Sequence, residues 1–378
     1  MKKIPVCNPV IPENAMKYVN EVIQANWISS SCPDQDINFI KKLEKGFSAF
    51  VGTKYGVTTT SGTSALNLAV SCLNLGKGDE IIMPSFTMIS TATCAVHHGA
   101  RPVFVDACKD TWCMDSSMIE KAITRNTKAI MPVHIYGYPA DMNNIMSIAA
   151  QKGLYVIEDA AHAIGTQYYG HHAGSMGIIG CFSFYANKIV TSGEGGMLVT
   201  NDPIIARRAN YLKNHAFSET RFIHEDFGYN YRMNNLTAAY GYASFEGVRD
   251  NIKKKTGIAQ WYNTALKNVE GILLPPESNA NIQNSYWMYA ILIDKNRFGR
   301  DKSEVRQLLA QNYAIETRDF FYPLHKQPAI IRSGLSHKED RLPVSEMLWD
   351  RGCYLPSGVD LNEKQINYIA ESLEQLRR

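Results

Sequence analysis

Leu154-Tyr155-Val156-Ile157-Glu158-Asp159-Ala160-Ala161-His162 begins as a short apolar run and stops at two acids followed by small residues. Such a run reads as a buried strand, Leu154–Glu158, with the acids at its carboxyl end. The same texture repeats outward in both directions. From Lys54 to Thr200, β-branched runs at Tyr55–Thr59, Glu80–Met83, Pro102–Val105, Ala129–His134, Cys181–Phe184 and Gly196–Thr200 alternate with helical stretches such as Ser64–Leu75, Ser116–Ile123 and Asn143–Gln151. Gly, Pro or Asp punctuates the joints. Alternation of this kind builds βα units on a mainly parallel sheet with helices packed on it, so the fold class is α/β.

The texture changes beyond Tyr240. Phe245–Val269 reads as one long amphipathic helix whose Lys253-Lys254-Lys255 is a solvated face, and a smaller α+β unit follows from Ser285 to the end. At about 150 residues per domain, 378 residues call for two domains, placed at 1–244 and 245–378. The 45% hydrophobic and 20% charged fractions supply a full core and exclude a disordered chain or a disulfide-stapled miniature. A net charge of +3 argues against nucleic acid as the main partner. No window approaches the roughly 20 apolar residues of a membrane span, so no membrane partner is expected. The start, Met1-Lys2-Lys3-Ile4-Pro5-Val6-Cys7, is basic like a signal peptide, but Asn8, Pro9, Pro12 and Glu13 interrupt any apolar region, so the mature chain is expected to begin here. Eight cysteines without C-x-x-C spacing read as reduced thiols of a cytoplasmic protein. There is no internal repeat or low-complexity segment.

Three segments could carry chemistry. Thr60-Ser61-Gly62-Thr63-Ser64 is a hydroxyl-rich turn leaving a strand and opening a helix, where free N–H groups and the positive helix end suit a phosphate. Alone it reads first as an ordinary N-capped helix, and it lacks nucleotide P-loop spacing. Asp159 stands at a carboxyl strand end, where open α/β sheets bind ligands, although an acid there can also cap the next turn. His162 alone is more often a structural histidine than a catalytic one. Phe182-Ser183-Phe184-Tyr185-Ala186-Asn187-Lys188, with Gly193-Glu194-Gly195-Gly196 behind it, places a lysine between a buried strand and a glycine turn. Desolvation there lowers the lysine pKa and frees its amine to attack a carbonyl, whereas a lone lysine is otherwise a surface group. The glycine cluster precedes a strand and is no dinucleotide fingerprint. The pairs at His97–His98 and His171–His172 lack a completing ligand, so no metal is expected.

A phosphate cradle, an acid at a strand end and a lysine downstream are together the parts that hold pyridoxal phosphate, with Asp159 keeping the pyridine nitrogen protonated. Here the chain resembles the DegT/DnrJ/EryC1/StrS family of sugar aminotransferases, within fold type I of pyridoxal-phosphate enzymes. The resemblance is carried by Trp27–Ser30, Thr60–Leu66, Gly78–Ile82, Val133–Gly137, Glu158–Gly165, Phe182–Asp202, Gly228–Met233 and Phe321–His325. It implies a large domain with a mainly parallel mixed sheet flanked by helices, and a smaller C-terminal α+β domain. It implies that Lys188 anchors the cofactor, that Asp159 pairs with the pyridinium, and that His162 lies beside the phenolic oxygen. Gly62, Thr63 and Ser183 match phosphate contacts. Asn230 matches one that the family supplies from a neighbouring subunit, which implies a homodimer with shared active sites. Arg318 and His325 are the candidates for reaching the sugar.

Within the family, Phe182–Thr200 and Arg318–Gln327 are most similar to the GDP-perosamine synthases, which aminate C4 of a GDP-linked 4-keto-6-deoxymannose. L-Glutamate is the implied donor. The chain departs from frequent family residues at Ser31-Cys32-Pro33, Asn234 and Asp319, so a different nucleotide-linked keto-sugar or a nucleotide-free one remains open. A dehydratase branch of the family carries His where Lys188 stands. A non-catalytic regulator that binds the cofactor would show a damaged site or a fused DNA-binding domain.

Overall fold

The computed structural model describes residues 3–220 and 222–378, so Met1 and Lys2 of the basic start lie outside the described residues. Seven strands form the main sheet: β1 Tyr55–Thr59, β2 Glu80–Pro84, β3 Arg101–Val105, β4 Thr127–Ile130, β5 Tyr155–Asp159, β6 Ile179–Ser183 and β7 Gly196–Thr200. Their spatial order is β1-β7-β6-β5-β4-β2-β3. β7 runs antiparallel to β1 and β6, and every other neighbouring pair is parallel. The expected strands at 55–59 and 196–200 are observed at those limits. The one expected at Ala129–His134 stops at Ile130, because Pro132 has no N–H to give a ladder. The chain nevertheless continues along the sheet, with an isolated bridge from Val133 to Asp159.

The helix Gly62–Cys72 is buried on nearly every face and packs against β6 and β7, which places its N-terminus at the sheet's carboxyl edge. Ser61 caps it, extended at φ −165° and accepting from the Ser64 N–H. The stretch expected as a helix at Ser116–Ile123 divides into a 3₁₀ turn, Ser116–Met118, and a short α-helix, Ile119–Ala122.

Downstream, the single helix expected at Phe245–Val269 is two. Asn235–Glu246 ends at Gly247, whose φ and ψ of −87° and 9° are not helical, and Val248–Leu266 begins after it. Glycine has the least to lose from such a break. A second, antiparallel sheet is built from Ile272–Leu273, Tyr289–Ile293, Gly352–Leu355 and Arg318–Asp319. Its inner face packs on Val248–Leu266 and on the last helix, Glu363–Gln375, through Tyr262, Leu266, Ile291, Ile366 and Leu373. The chain's first described residues also join this unit, since the N–H groups of Ile4 and Ser357 donate to the carbonyls of Ala314 and Val6. One apolar cluster, including Ile82, Val133, Tyr136, Trp287, Phe320 and Tyr354, is continuous across the two sheets.

The Lys253–Lys255 run is not a uniformly solvated face. Lys255 is 3% exposed, and its Nζ donates to the carbonyls of Trp287, at 2.8 Å, and Ser357. Two carbonyl acceptors offset part of the cost of burying an ammonium. Among the described residues no helix is long and apolar enough to cross a membrane, and all eight cysteines are free.

Candidate active site

Thr59, Pro84, Asp159 and Ser183 are the last residues of β1, β2, β5 and β6, which all end at the same edge of the sheet. That shared edge brings the three sequence segments together. The Ser61-capped helix starts against Ser183: a Cβ added to Gly62 would stand 2.8 Å from the Ser183 Cβ, so glycine permits the approach. Thr63 Oγ1 and Ser90 Oγ share a hydrogen bond of 2.9 Å, as do the hydroxyls of Thr60 and Ser64. The first N–H groups of an α-helix have no intrahelical backbone acceptor, and here that of Ser64 is taken by Ser61 Oγ.

Asp159 is 4% exposed. Thr91 Oγ1 donates to its Oδ2 at 2.8 Å, and the Ala161 N–H donates to its Oδ1 at 3.2 Å. Burial pushes the carboxyl above its ordinary value, against the hydrogen bonds from Thr91 and Ala161 and the charge of Lys188. Its neighbour Glu158 points into the protein and is fully buried. It accepts from His134 Nε2 at 2.9 Å and from the N–H groups of Gly174, Met176 and Gly177 at 2.6–2.7 Å. Desolvation raises its pKa, but the hydrogen bond and charge of His134, with the N–H groups of Gly177 and Gly174, outweigh it and hold the pKa below the ordinary value. The two adjacent acids thus differ in kind: Glu158 is saturated, and Asp159 is not.

Lys188 follows β6 by one turn, its N–H donating to the Tyr185 carbonyl at 2.9 Å. Its Nζ lies 3.5 Å from the ring centroid of Trp287. Burial pulls its pKa well below that of an ordinary lysine; Asp159 opposes the shift and Lys255 adds to it. The other face of the grouping is His162, stacked on Trp287 at 4.0 Å and 14°. Burial holds the imidazole well below its ordinary pKa, and its Nδ1 has no hydrogen-bond partner among the described residues. The same is true of Asn187 Oδ1. Trp287 Nε1 donates to the Asn187 carbonyl at 2.9 Å, which ties the tryptophan to the lysine's own loop. A cavity of ≈ 340 Å³ opens beside Lys188, lined also by Asn187, Lys255 and residues 7–14.

The sequence profile of the DegT/DnrJ/EryC1/StrS aminotransferase family matches residues 9–374. The chain belongs to that family. It is a pyridoxal-phosphate-dependent sugar aminotransferase. It is 40% identical over 376 residues to a GDP-perosamine synthase of Escherichia coli O157:H7, covering 99% of both chains. A GDP-perosamine synthase of Caulobacter vibrioides is 35% identical over 380 residues, covering 100% of this chain and 99% of its own. The solved structure of S. venezuelae DesV superposes with a TM-score of 0.88 at 30% identity, covering 96% of this chain and 94% of that one. Family members thus share the whole architecture, not a fragment of it.

The residues present fit pyridoxal phosphate. A capped helix N-terminus with hydroxyls suits the phosphate dianion, a buried carboxylate without a cationic partner at ion-pair distance among the described residues suits the pyridinium, and a desolvated amine suits the aldehyde. The unpartnered Nδ1 of His162 is a buried polar atom awaiting a partner.

Other expected site residues lie further out. Asn230 is exposed, its Oδ1 accepting from Arg232, and no described contact joins it to Lys188 of the same chain. Arg318 is exposed on the edge strand of the second sheet, 3.9 Å from Glu316. His325 is 1% exposed, with both ring nitrogens engaged: Nδ1 with Ser85 Oγ at 2.7 Å and Nε2 with Glu346 Oε1 at 3.2 Å. Of the paired histidines, His98 bonds the Cys94 carbonyl and Tyr229, and His172 bonds Ala173 and Gly165. Thr91, Trp287 and Lys255 carry no motif that marks them in the sequence, and they come to the site through tertiary packing alone.

Proposed function

We propose that the enzyme transfers an amino group from L-glutamate to a nucleotide-linked 4-keto-6-deoxyhexose, GDP-linked 4-keto-6-deoxymannose before others, in cytoplasmic amino-sugar synthesis for a surface polysaccharide such as the O-antigen of lipopolysaccharide. The observation that carries this reading is the meeting of Asp159, His162 and Lys188 beside the Ser61-capped helix, in a chain 40% identical from end to end to a GDP-perosamine synthase.

Pyridoxal phosphate supplies an aldehyde that accepts an amine and a ring that draws electrons from the carbon beside it. The rest falls to this chain's own residues. Gly62, Thr63 and Ser183 hold the phosphate at the helix N-terminus. Asp159, kept ionised, holds the proton on the ring nitrogen. His162 offers its Nδ1 to the ring's phenolic oxygen. Lys188 would hold the cofactor through its Nζ, and the same Nζ, when free, would serve as base and then acid, taking a proton from the substrate carbon and giving it back. Its depressed pKa favours the neutral amine, the form able to take that proton. Trp287 covers the amine and excludes water.

Asn230 reaches the phosphate of the neighbouring subunit in a homodimer, and Arg318 and His325 lie on the sugar side. Exposed apolar residues near the N-terminus support an assembly: Met16 and Ile23, two turns apart on the helix Ala15–Gln24, with Trp27 and Ile28 following. The proposed domain division, 1–244 and 245–378, lies next to the helix break at Gly247, with Ile4 and Val6 of the N-terminal stretch joining the second unit. The test is to charge the enzyme with L-glutamate, isolate its pyridoxamine form, and offer nucleotide-linked and free keto-sugars in turn. GDP-linked 4-keto-6-deoxymannose is expected to restore the pyridoxal spectrum fastest. Restoration by free sugars alone overturns the nucleotide part of the reading.

A further inference from the structure

Asp159 poses a physical problem. Its carboxylate is buried at a strand end, yet among the described residues it has no lysine, arginine or histidine nitrogen within ion-pair distance. Two hydrogen bonds hold it: the one from the Ala161 N–H, at 3.2 Å, is local, and the shorter, 2.8 Å, comes from Thr91, a residue 68 positions away.

Thr91 is itself fully buried and held from three directions. Its N–H donates to the Met88 carbonyl, its carbonyl accepts from the Cys94 thiol, and its hydroxyl also meets that of Thr87 at 3.2 Å. An ionised carboxylate only accepts, so the single hydroxyl proton of Thr91 goes to Asp159 and the Thr87 hydroxyl donates to Thr91. The result is a directed chain, Thr87 to Thr91 to Asp159, whose dipoles reinforce one another. The chemical identity of the donor matters. An arginine or lysine at this place would neutralise the carboxylate and compete for it. A hydroxyl fixes its plane and favours its ionised form while leaving the full negative charge for a cation.

We propose that Thr91 is a positioning residue for the cofactor: its hydroxyl, backed by Thr87, orients the Asp159 carboxylate and keeps it ionised against a protonated pyridine nitrogen. The inference rests on the reading of Asp159 given above. The titratable groups that face Asp159 are Lys188 after β6, His134 after β4, Cys94 on the helix Ser90–His97 and Cys181 on β6. Burial raises both thiols, so neither carries charge near neutrality.

Removing a hydrogen bond to the ionised form raises the Asp159 pKa. Cofactor affinity that depends on the ionised form is present above that pKa and is lost as pH falls through it. The full chain, stripped of cofactor, is therefore titrated with pyridoxal phosphate across a pH series by absorbance and tryptophan fluorescence, for the native chain, Thr91→Val, Thr91→Ser and Asp159→Asn. T91V, nearly isosteric, is expected to bind roughly ten- to a hundredfold more weakly, the worth of a charge-assisted hydrogen bond, and its loss of affinity is expected to begin at higher pH. T91S is expected to restore both. If T91V does not fold, T91A removes the same donor and is read in the same way. Native affinity and midpoint in the variant overturn the proposal, and so does weaker binding with an unmoved midpoint that Ser does not rescue, because packing alone then explains Thr91. D159N that binds as the native chain does, with the same pH dependence, instead overturns the reading of Asp159 itself.

Discussion

Lys188, just past the main sheet, and Trp287, just before the Tyr289–Ile293 strand of the second, meet with the lysine Nζ 3.5 Å from the tryptophan ring centroid, while the indole N–H is tied to the carbonyl of Asn187 beside that lysine. The ring therefore does two things for one amine. It removes water from it, which depresses the pKa, and it offers a π-face that steadies the ammonium form. A base that takes a proton and later returns it needs both forms within reach.

The first prediction concerns this contact. Trp287→Leu removes the π-face and leaves space beside the lysine, whereas Trp287→Phe keeps a smaller face. On the proposal that Lys188 moves the proton in both directions of the cycle, stopped-flow measurement of the glutamate and keto-sugar half-reactions is expected to show W287L slowing both on the order of tenfold, the effect of about 1.4 kcal/mol on a barrier, and W287F slowing both less. A defect in the sugar half-reaction alone would make Trp287 a sugar contact.

A second prediction follows from Lys255. Burial lowers its pKa in the folded chain, so between that lowered value and the ordinary lysine value the unfolded chain binds more protons, and stability rises with pH across the window. One group contributes a slope of at most about 1.4 kcal/mol per pH unit. Lys255→Met is expected to flatten the rise in urea-melt stability between neutral and alkaline pH. It is also expected to cost stability at high pH, where two buried carbonyls lose their donor. An unchanged slope would mean that Lys255 is not desolvated in solution.

The third prediction tests the shared site. Lys188→Ala is expected to be inactive and Asn230→Ala weakened by about 1.5–3 kcal/mol, the range for hydrogen bonds to charged groups. In a mixed dimer one site carries both lesions and the other keeps native Lys188 and native Asn230. Subunit exchange between the variants is expected to regain activity beyond their average. Formation of the mixed dimer without that gain would place Asn230 within its own chain's site.

Much of the site was legible because strands end where the pattern changes. Asp159, the Phe182–Lys188 segment and the Thr60–Ser64 turn are each read from local apolar periodicity and a break, and the parallel pairing of β5 with β6 and the two antiparallel pairings through β7 align those breaks at one edge. What was not legible depends on faces and distant partners. Three consecutive lysines do not reveal that the third turns inward to the carbonyls of Trp287 and Ser357. Gly247 divides a helix whose apolar pattern runs on through it. His325 carries no local mark that both its nitrogens are spent on Ser85 and Glu346, so any sugar contact there competes with bonds already made. Thr91 and Trp287 lie in stretches of no special composition, and their meaning arises only when Asp159 and Lys188 are packed against them.

The central claim is that Lys188 is the residue that carries the cofactor. Borohydride reduction of the enzyme reconstituted with pyridoxal phosphate, followed by proteolysis and mass mapping, measures this directly. The pyridoxyl group is expected on the peptide containing Lys188 at one per chain, and to be absent from Lys188→Ala. Stoichiometric label on another lysine, Lys255 included, would contradict the account.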